Sequence, residues 1–175
     1  RSYSVTGVQT CALPILPADI DETLPDLSPE DAVKELAVKK TESICSAGQL
    51  KHRWYLAADT MVLIDGKMLG KPADIIEAEA FLGALSGRKH QVITGIALFD
   101  AEKREMRTGT DSAHVWFAAL TDKDITWYLS TGEWNGAAGA YRIQEMGECL
   151  VEKIEGSCSN RSEERRVGKE CRSRW

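Results

Sequence analysis

The chain has 175 residues, 43% hydrophobic and 28% charged, enough for one globular domain around a single core. Its formal net charge of -5 argues against a nucleic-acid polymer as the main partner, because such binding is largely cation-driven. No stretch approaches the roughly 18 consecutive apolar residues of a membrane span and no secretion signal opens the chain, so a cytoplasmic protein without a membrane partner is expected.

The two ends stand apart from what lies between them. Residues 161–175, RSEERRVGKECRSRW, back-translate from Arg161 as AGA TCG GAA GAG CGT, which contains GATCGGAAGAGC. Ala12-Leu13-Pro14-Ile15 back-translates as GCT CTT CCG ATC, which reads as the reverse complement of part of that string. Both ends resemble translated sequencing-library adapter, so 1–15 and 161–175 are set aside and 16–160 is read as the domain. Without them, 15 Lys+Arg face 24 Asp+Glu, a net charge of -9. The five cysteines, Cys11, Cys45, Cys149, Cys158 and Cys171, form neither a CxxC pair nor a dense framework, so reduced thiols are expected.

Within 16–160 the pattern is α/β. Asp19, Asp21 and Glu22 form an acidic cluster. Ser28-Pro29-Glu30-Asp31 is a helix start, with Ser28 the N-cap and Pro29 at the first helical position, and the helix runs to about Ala47 before Gly48. Trp54-Tyr55-Leu56-Ala57-Ala58 reads as a buried strand ending in Asp59. Met61 to Ile64 continues the extended chain into Asp65-Gly66, a two-residue hairpin signal that returns Lys71 towards Asp59. Asp74 to Glu77 and Thr121 to Asp124 repeat the capping pattern, ahead of helices ending near Gly87 and Gly132. His90 to Phe99 and Ala113 to Leu120 have strand composition, joined by a polar segment from Asp100 to Thr110. Cys149-Leu150-Val151 suggests a last strand. There is no internal repeat and no linker.

Taken singly, Lys71 reads as a solvated lysine and Asp59 as a strand-end residue. Taken together, carboxylates from separate segments with Lys40 and Lys71 between them suit a hard divalent cation holding a polyphosphate. No GxxxxGKS loop occurs, so Gly70-Lys71-Pro72 is not one. His90 has no Ser or Cys nucleophile motif around it, which favours a structural or surface role, and His52 and His114 lie outside any metal-ligand spacing.

Ala58-Asp59-Thr60, Gly70-Lys71-Pro72, Leu85-Ser86-Gly87 with His90, Thr131-Gly132-Glu133, Ala138-Gly139-Ala140-Tyr141, Ile143-Gln144 and Ile154-Glu155-Gly156-Ser157 occur in one order and spacing. In that order the sequence resembles the Maf nucleoside triphosphate pyrophosphatases over nearly all of 16–160. The resemblance implies a Maf/ITPase-like mixed sheet flanked by helices, two lobes around a nucleotide cleft and, in many members, a homodimer. It implies hydrolysis of a nucleoside triphosphate to the monophosphate and pyrophosphate with Mg²⁺ or Mn²⁺. Asp59 matches the family's general base, Lys40 and Lys71 its phosphate-facing lysines, and Glu22 a metal-site or catalytic acid that would share the cation with Asp59. Thr60 and Gln144 match positions linked to base choice, and the Ala-Tyr-x-Ile-Gln arrangement looks like the dTTP and UTP branch rather than the 7-methyl-GTP branch.

Departures from the family pattern are specific. Gly136-Ala137-Ala138 lacks a frequent lysine, Arg142 replaces a glycine, and Trp134 replaces a frequent proline; Arg142 reads as a surface arginine and Trp134 as a packing residue. The family's opening strand and Ser-x-Arg-Arg loop have no counterpart in 1–15. The chain is therefore expected to be an internal fragment lacking the first strand, with its own turnover in question. A nucleotide-binding regulator of septum formation with little catalysis is the competing expectation.

Overall fold

Local hydrogen bonding at three capping residues sets the helices of the computed structural model, which describes residue 20, residues 27–46 and residues 53–156. Helix α1, Pro29–Ser46, starts where Ser28 Oγ accepts the Asp31 N–H at 3.2 Å and donates to the Asp31 carboxylate at 2.8 Å. Helix α2, Ile75–Leu85, is capped by Asp74, which accepts the Glu77 N–H at 2.9 Å. Helix α3, Asp122–Ser130, has a reciprocal capping box between Thr121 and Asp124. In each case a side-chain oxygen satisfies a backbone N–H that the first helical turn leaves without a partner.

Among the described residues five strands make one sheet: β1 (Trp54–Ile64), β2 (Lys67–Leu69), β3 (Lys89–Asp100), β4 (Glu105–Phe117) and β5 (Val151–Gly156). Their order is β2-β1-β3-β4-β5 and every pair is antiparallel. The β1–β2 turn is Asp65-Gly66, with φ of 50° and 75°, the positive pair that a two-residue hairpin requires.

The strands differ from their expected bounds in four places, one of them the end of β4, at Phe117 rather than Leu120. Asp59 lies inside β1 rather than at its end, and of the apolar run before it only Tyr55 is buried, while Trp54 and Leu56 face solvent. The expected Asp100–Thr110 connection shrinks to Ala101–Arg104, because β4 already begins at Glu105. Its first half is mostly exposed and therefore carries no apolar alternation to betray a strand. Cys149 and Leu150 belong to a 3-10 helix, Met146–Leu150, and β5 starts at Val151.

The sheet is covered on both faces. Strand alternation puts Tyr55, Ala57 and Asp59 on one face with their partners Phe99, Ala97 and Gly95. Helix α1 packs against β1 and β3 there, burying Ala32, Val33, Leu36 and Ala37. Its backbone comes so close that a Cβ on Gly95 would lie 2.4 Å from the carbonyl carbon of Val33, so only glycine fits. The other face carries the main core: Val62, Ile64, Val92 and Val115 against Ala78, Leu82 and Leu85 of α2 and Ile125, Tyr128 and Leu129 of α3.

Asp100 closes the β3–β4 hairpin. Its buried Oδ1 accepts the N–H groups of Glu102 at 3.0 Å and Lys103 at 3.3 Å, with Arg53 at 3.5 Å from Oδ2. Burial works against the charge, but those N–H groups and the guanidinium prevail and hold the carboxyl below its ordinary 3.8. A carboxyl lowered in the fold stabilises it above the unfolded value, and that contribution is lost as pH falls through the folded value.

Two outcomes follow for folding. Gly95→Ala should lower the free energy of urea unfolding by about 1–3 kcal/mol, with α1 displaced from the sheet. Asp100→Asn should be less stable than the wild type at neutral pH, and urea titrations should show the gap narrowing as pH is taken below 3.8.

Candidate active site

Asp59 is only 6% exposed, on the face of the sheet that α1 covers. A carboxylate taken out of water there needs a cation and hydrogen bonds to stay charged. Lys40 meets it, with Nζ 2.5 Å from Asp59 Oδ1 and 3.3 Å from the Ala58 carbonyl oxygen. The two side chains are 17% and 8% exposed, so this is an ion pair largely withdrawn from solvent.

Helix periodicity explains why Lys40 arrives. Val33 sits over Gly95, and Ala37 and Lys40 follow it at i+4 and i+7 along the same stripe. The apolar members of the stripe seat the helix on β1 and β3. The next member is a lysine, and it reaches the carboxylate in the neighbouring strand.

Thr60 projects from the opposite face, since successive residues of a strand alternate. Its hydroxyl lies 2.8 Å from that of Thr94, its register partner in β3. Asp59 and Thr60 thus deliver a carboxylate and a hydroxyl to different sides of the sheet from adjacent positions.

Lys71 follows β2. It lies two residues beyond Leu69, the last residue of β2, whose register partner in β1 is Val62. Lys71 is exposed, and Pro72 behind it is buried. The carbonyl of Gly70 accepts the Gly139 N–H at 2.9 Å, which ties this segment to the 3-10 turn Ala138–Ala140. Gly139 has φ 66°, and a Cβ there would lie 2.9 Å from Val62.

Gln144 stands exposed after buried Ile143 on the chain leaving that turn. The departures nearby are structural. Arg142 donates from Nε and a terminal guanidinium nitrogen to the carbonyls of Glu133 and Asn135, both at 3.1 Å. Trp134 packs against the core and donates Nε1–H to the Leu129 carbonyl at 3.1 Å. His90 is buried, with Nε2 2.5 Å from the Tyr141 hydroxyl oxygen, and His114 packs beside Trp116. Cys45 and Cys149 are free thiols. Glu22, Asp19, Asp21, His52, Cys158 and both adapter-like ends lie outside the described residues.

Among the described residues, no three His, Cys, Asp or Glu side chains converge into a metal cage. Asp59 suits the other mode of binding, in which a hard cation takes one or two carboxylates and completes its shell with substrate phosphates and water. Thr94 and Gly95, which touch Thr60 and α1, were not singled out in the sequence. A glycine inside a strand is a signal for close backbone approach, and Gly95 carried it.

The Maf-like protein family profile matches residues 5–160. The chain is 38% identical over 161 residues to a protein of Syntrophotalea carbinolica named dTTP/UTP pyrophosphatase, covering 91% of this chain and 73% of that one. A protein of the same name from Pasteurella multocida is 42% identical over 149 residues, 81% of this chain and 74% of the relative. A third, from Geobacter sp. strain M21, is 42% identical over 147 residues, with coverage of 83% and 75%.

Removing the Lys40 cation should leave Asp59 buried with its charge poorly compensated. Lys40→Met is expected to lose about 3–5 kcal/mol of unfolding free energy at neutral pH. Adding Asp59→Asn should recover much of that loss, as a double-mutant cycle by chemical denaturation would measure.

Proposed function

The chain belongs to the Maf-like protein family, and on that premise we propose that it is a nucleoside triphosphate pyrophosphatase acting on dTTP and UTP. Water attacks the α-phosphorus, the α–β anhydride bond breaks, and the products are the nucleoside monophosphate and pyrophosphate. The observation that carries the reading is the withdrawn Lys40–Asp59 pair, set in a chain 38–42% identical to three proteins named for that activity.

Asp59 is the base, and its carboxylate, engaged by Lys40 at Oδ1, receives the proton of the attacking water. Lys40 keeps the carboxylate ionised and so ready to accept. An aspartate is a weak base, so lowering the pKa of the water would share the work. Asp59, Glu22 and the substrate phosphates would hold Mg²⁺ or Mn²⁺, which would supply that lowering and offset phosphate charge. Lys71, exposed on the segment after β2, opposes the charge that builds on departing pyrophosphate. Thr60, oriented by Thr94, and Gln144, with one amide acceptor and one amide donor group, read the edge of a pyrimidine. No helix among the described residues is long and apolar enough to cross a membrane. The cytoplasmic nucleotide pool is the substrate source this reading requires.

The test is pyrophosphate release from UTP with added Mg²⁺ or Mn²⁺. The wild-type chain should release it, and Asp59→Asn should lower the rate by at least about 10²-fold, the usual contribution of a positioned base. Undiminished turnover in Asp59→Asn would remove the assigned base. Saturable UTP binding with no product from either protein would favour the nucleotide-binding regulator instead.

A further inference from the structure

Two polar side chains sit where an apolar pair would pack as well. His90 is 2% and Tyr141 1% exposed, and their polar atoms meet at 2.5 Å. Their rings cross at 88° with centroids 5.5 Å apart, and Phe117 closes the group at 5.1 Å from His90 and 4.6 Å from Tyr141. Burying a hydroxyl and an imidazole in such a cluster is costly unless they bond each other, and the bond they make is directional.

The backbone around Tyr141 needs that direction. Gly139 and Ala140 both have positive φ, 66° and 62°, and for alanine this is a strained conformation that persists only where its surroundings hold it. The corner they form is held on one side by the Gly139 N–H to the Gly70 carbonyl at 2.9 Å. On the other side, the Arg142 N–H donates to the Tyr128 hydroxyl at 2.9 Å. Tyr141 is the side chain between these two ties. Gly70 precedes Lys71, and Gln144 lies three residues beyond Tyr141.

We propose that the buried His90–Tyr141 pair positions the Gly139–Gln144 segment, and through it both Gln144 and the Gly70-Lys71 segment, for nucleotide binding. The roles of Gln144 and Lys71 rest on the pyrophosphatase reading. His90 and Tyr141 are positioning residues, since they act through the segment they hold.

Amide hydrogen exchange by mass spectrometry on the full chain tests the positioning without any nucleotide. Tyr141→Phe and His90→Leu should raise exchange across residues 138–146 by about tenfold while α1 stays as in the wild type. His90→Gln, whose amide nitrogen can occupy the place of Nε2, should restore protection. With UTP, Tyr141→Phe and His90→Leu should lower kcat/KM by about tenfold or more, with KM raised where Gln144 is displaced and kcat lowered where Lys71 is, and His90→Gln should stay near the wild type. Unchanged exchange in Tyr141→Phe, or a rise spread evenly over the domain, would overturn the proposal. So would an unchanged kcat/KM in both variants. A wild-type chain that turns over no nucleotide would instead defeat the pyrophosphatase reading, and the exchange result would still decide this one.

Discussion

The close seat of α1 on the sheet at Gly95 is the constraint from which the site follows. Without a Cβ at Gly95, the Val33 backbone rests on β3, and the helix is near enough for Lys40, two turns on, to reach Asp59 in β1. A larger residue would lift the helix and lengthen the 2.5 Å contact that keeps the carboxylate charged. Packing and electrostatics are therefore coupled at one place. The apolar stripe of Val33, Leu36 and Ala37 supplies the seating energy, and the ion pair draws on that placement for its geometry.

Around this pair the sheet distributes the other groups by simple alternation. Asp59 faces α1 and Thr60 faces away, where Thr94 holds its hydroxyl. Lys71 comes from the β1–β2 hairpin and Gln144 from the loop beyond the Gly139 corner, and the Gly139–Gly70 hydrogen bond links those two segments. The buried ion pair thus lies on the α1 face, and Thr60 is on the opposite face of the same sheet. Rigid strands and a capped helix carry the buried pair, whereas the loop that bears Gln144 relies on a buried hydroxyl–imidazole bond.

Features governed by neighbours in sequence were legible before the structure. Ser28, Asp74 and Thr121 cap their helices because each needs only an N–H two or three residues away, and Asp65-Gly66 turns because both positions tolerate positive φ. Features governed by the sheet were less so. Asp59 looked like a strand end because the hydrophobic run before it stops there, yet ladder pairing with Gly95 carries β1 on to Ile64. The exposed half of β4 hid within a polar segment for the same reason: register, not burial, makes it a strand. Lys40 and Asp59 were matched to a site through the family pattern, but their contact spans 19 positions and depends on where α1 lands. The acidic Glu22 lies outside the described residues, so its place beside Asp59 rests on that pattern alone.

The proposed reaction sends water to the α–β anhydride of a pyrimidine nucleoside triphosphate. Phosphorus-31 NMR of UTP incubated with the chain and Mg²⁺ tests it most directly, because it identifies the bond broken. UMP and pyrophosphate should be the only new signals. UDP with orthophosphate, appearing at a rate that depends on the protein, would contradict it.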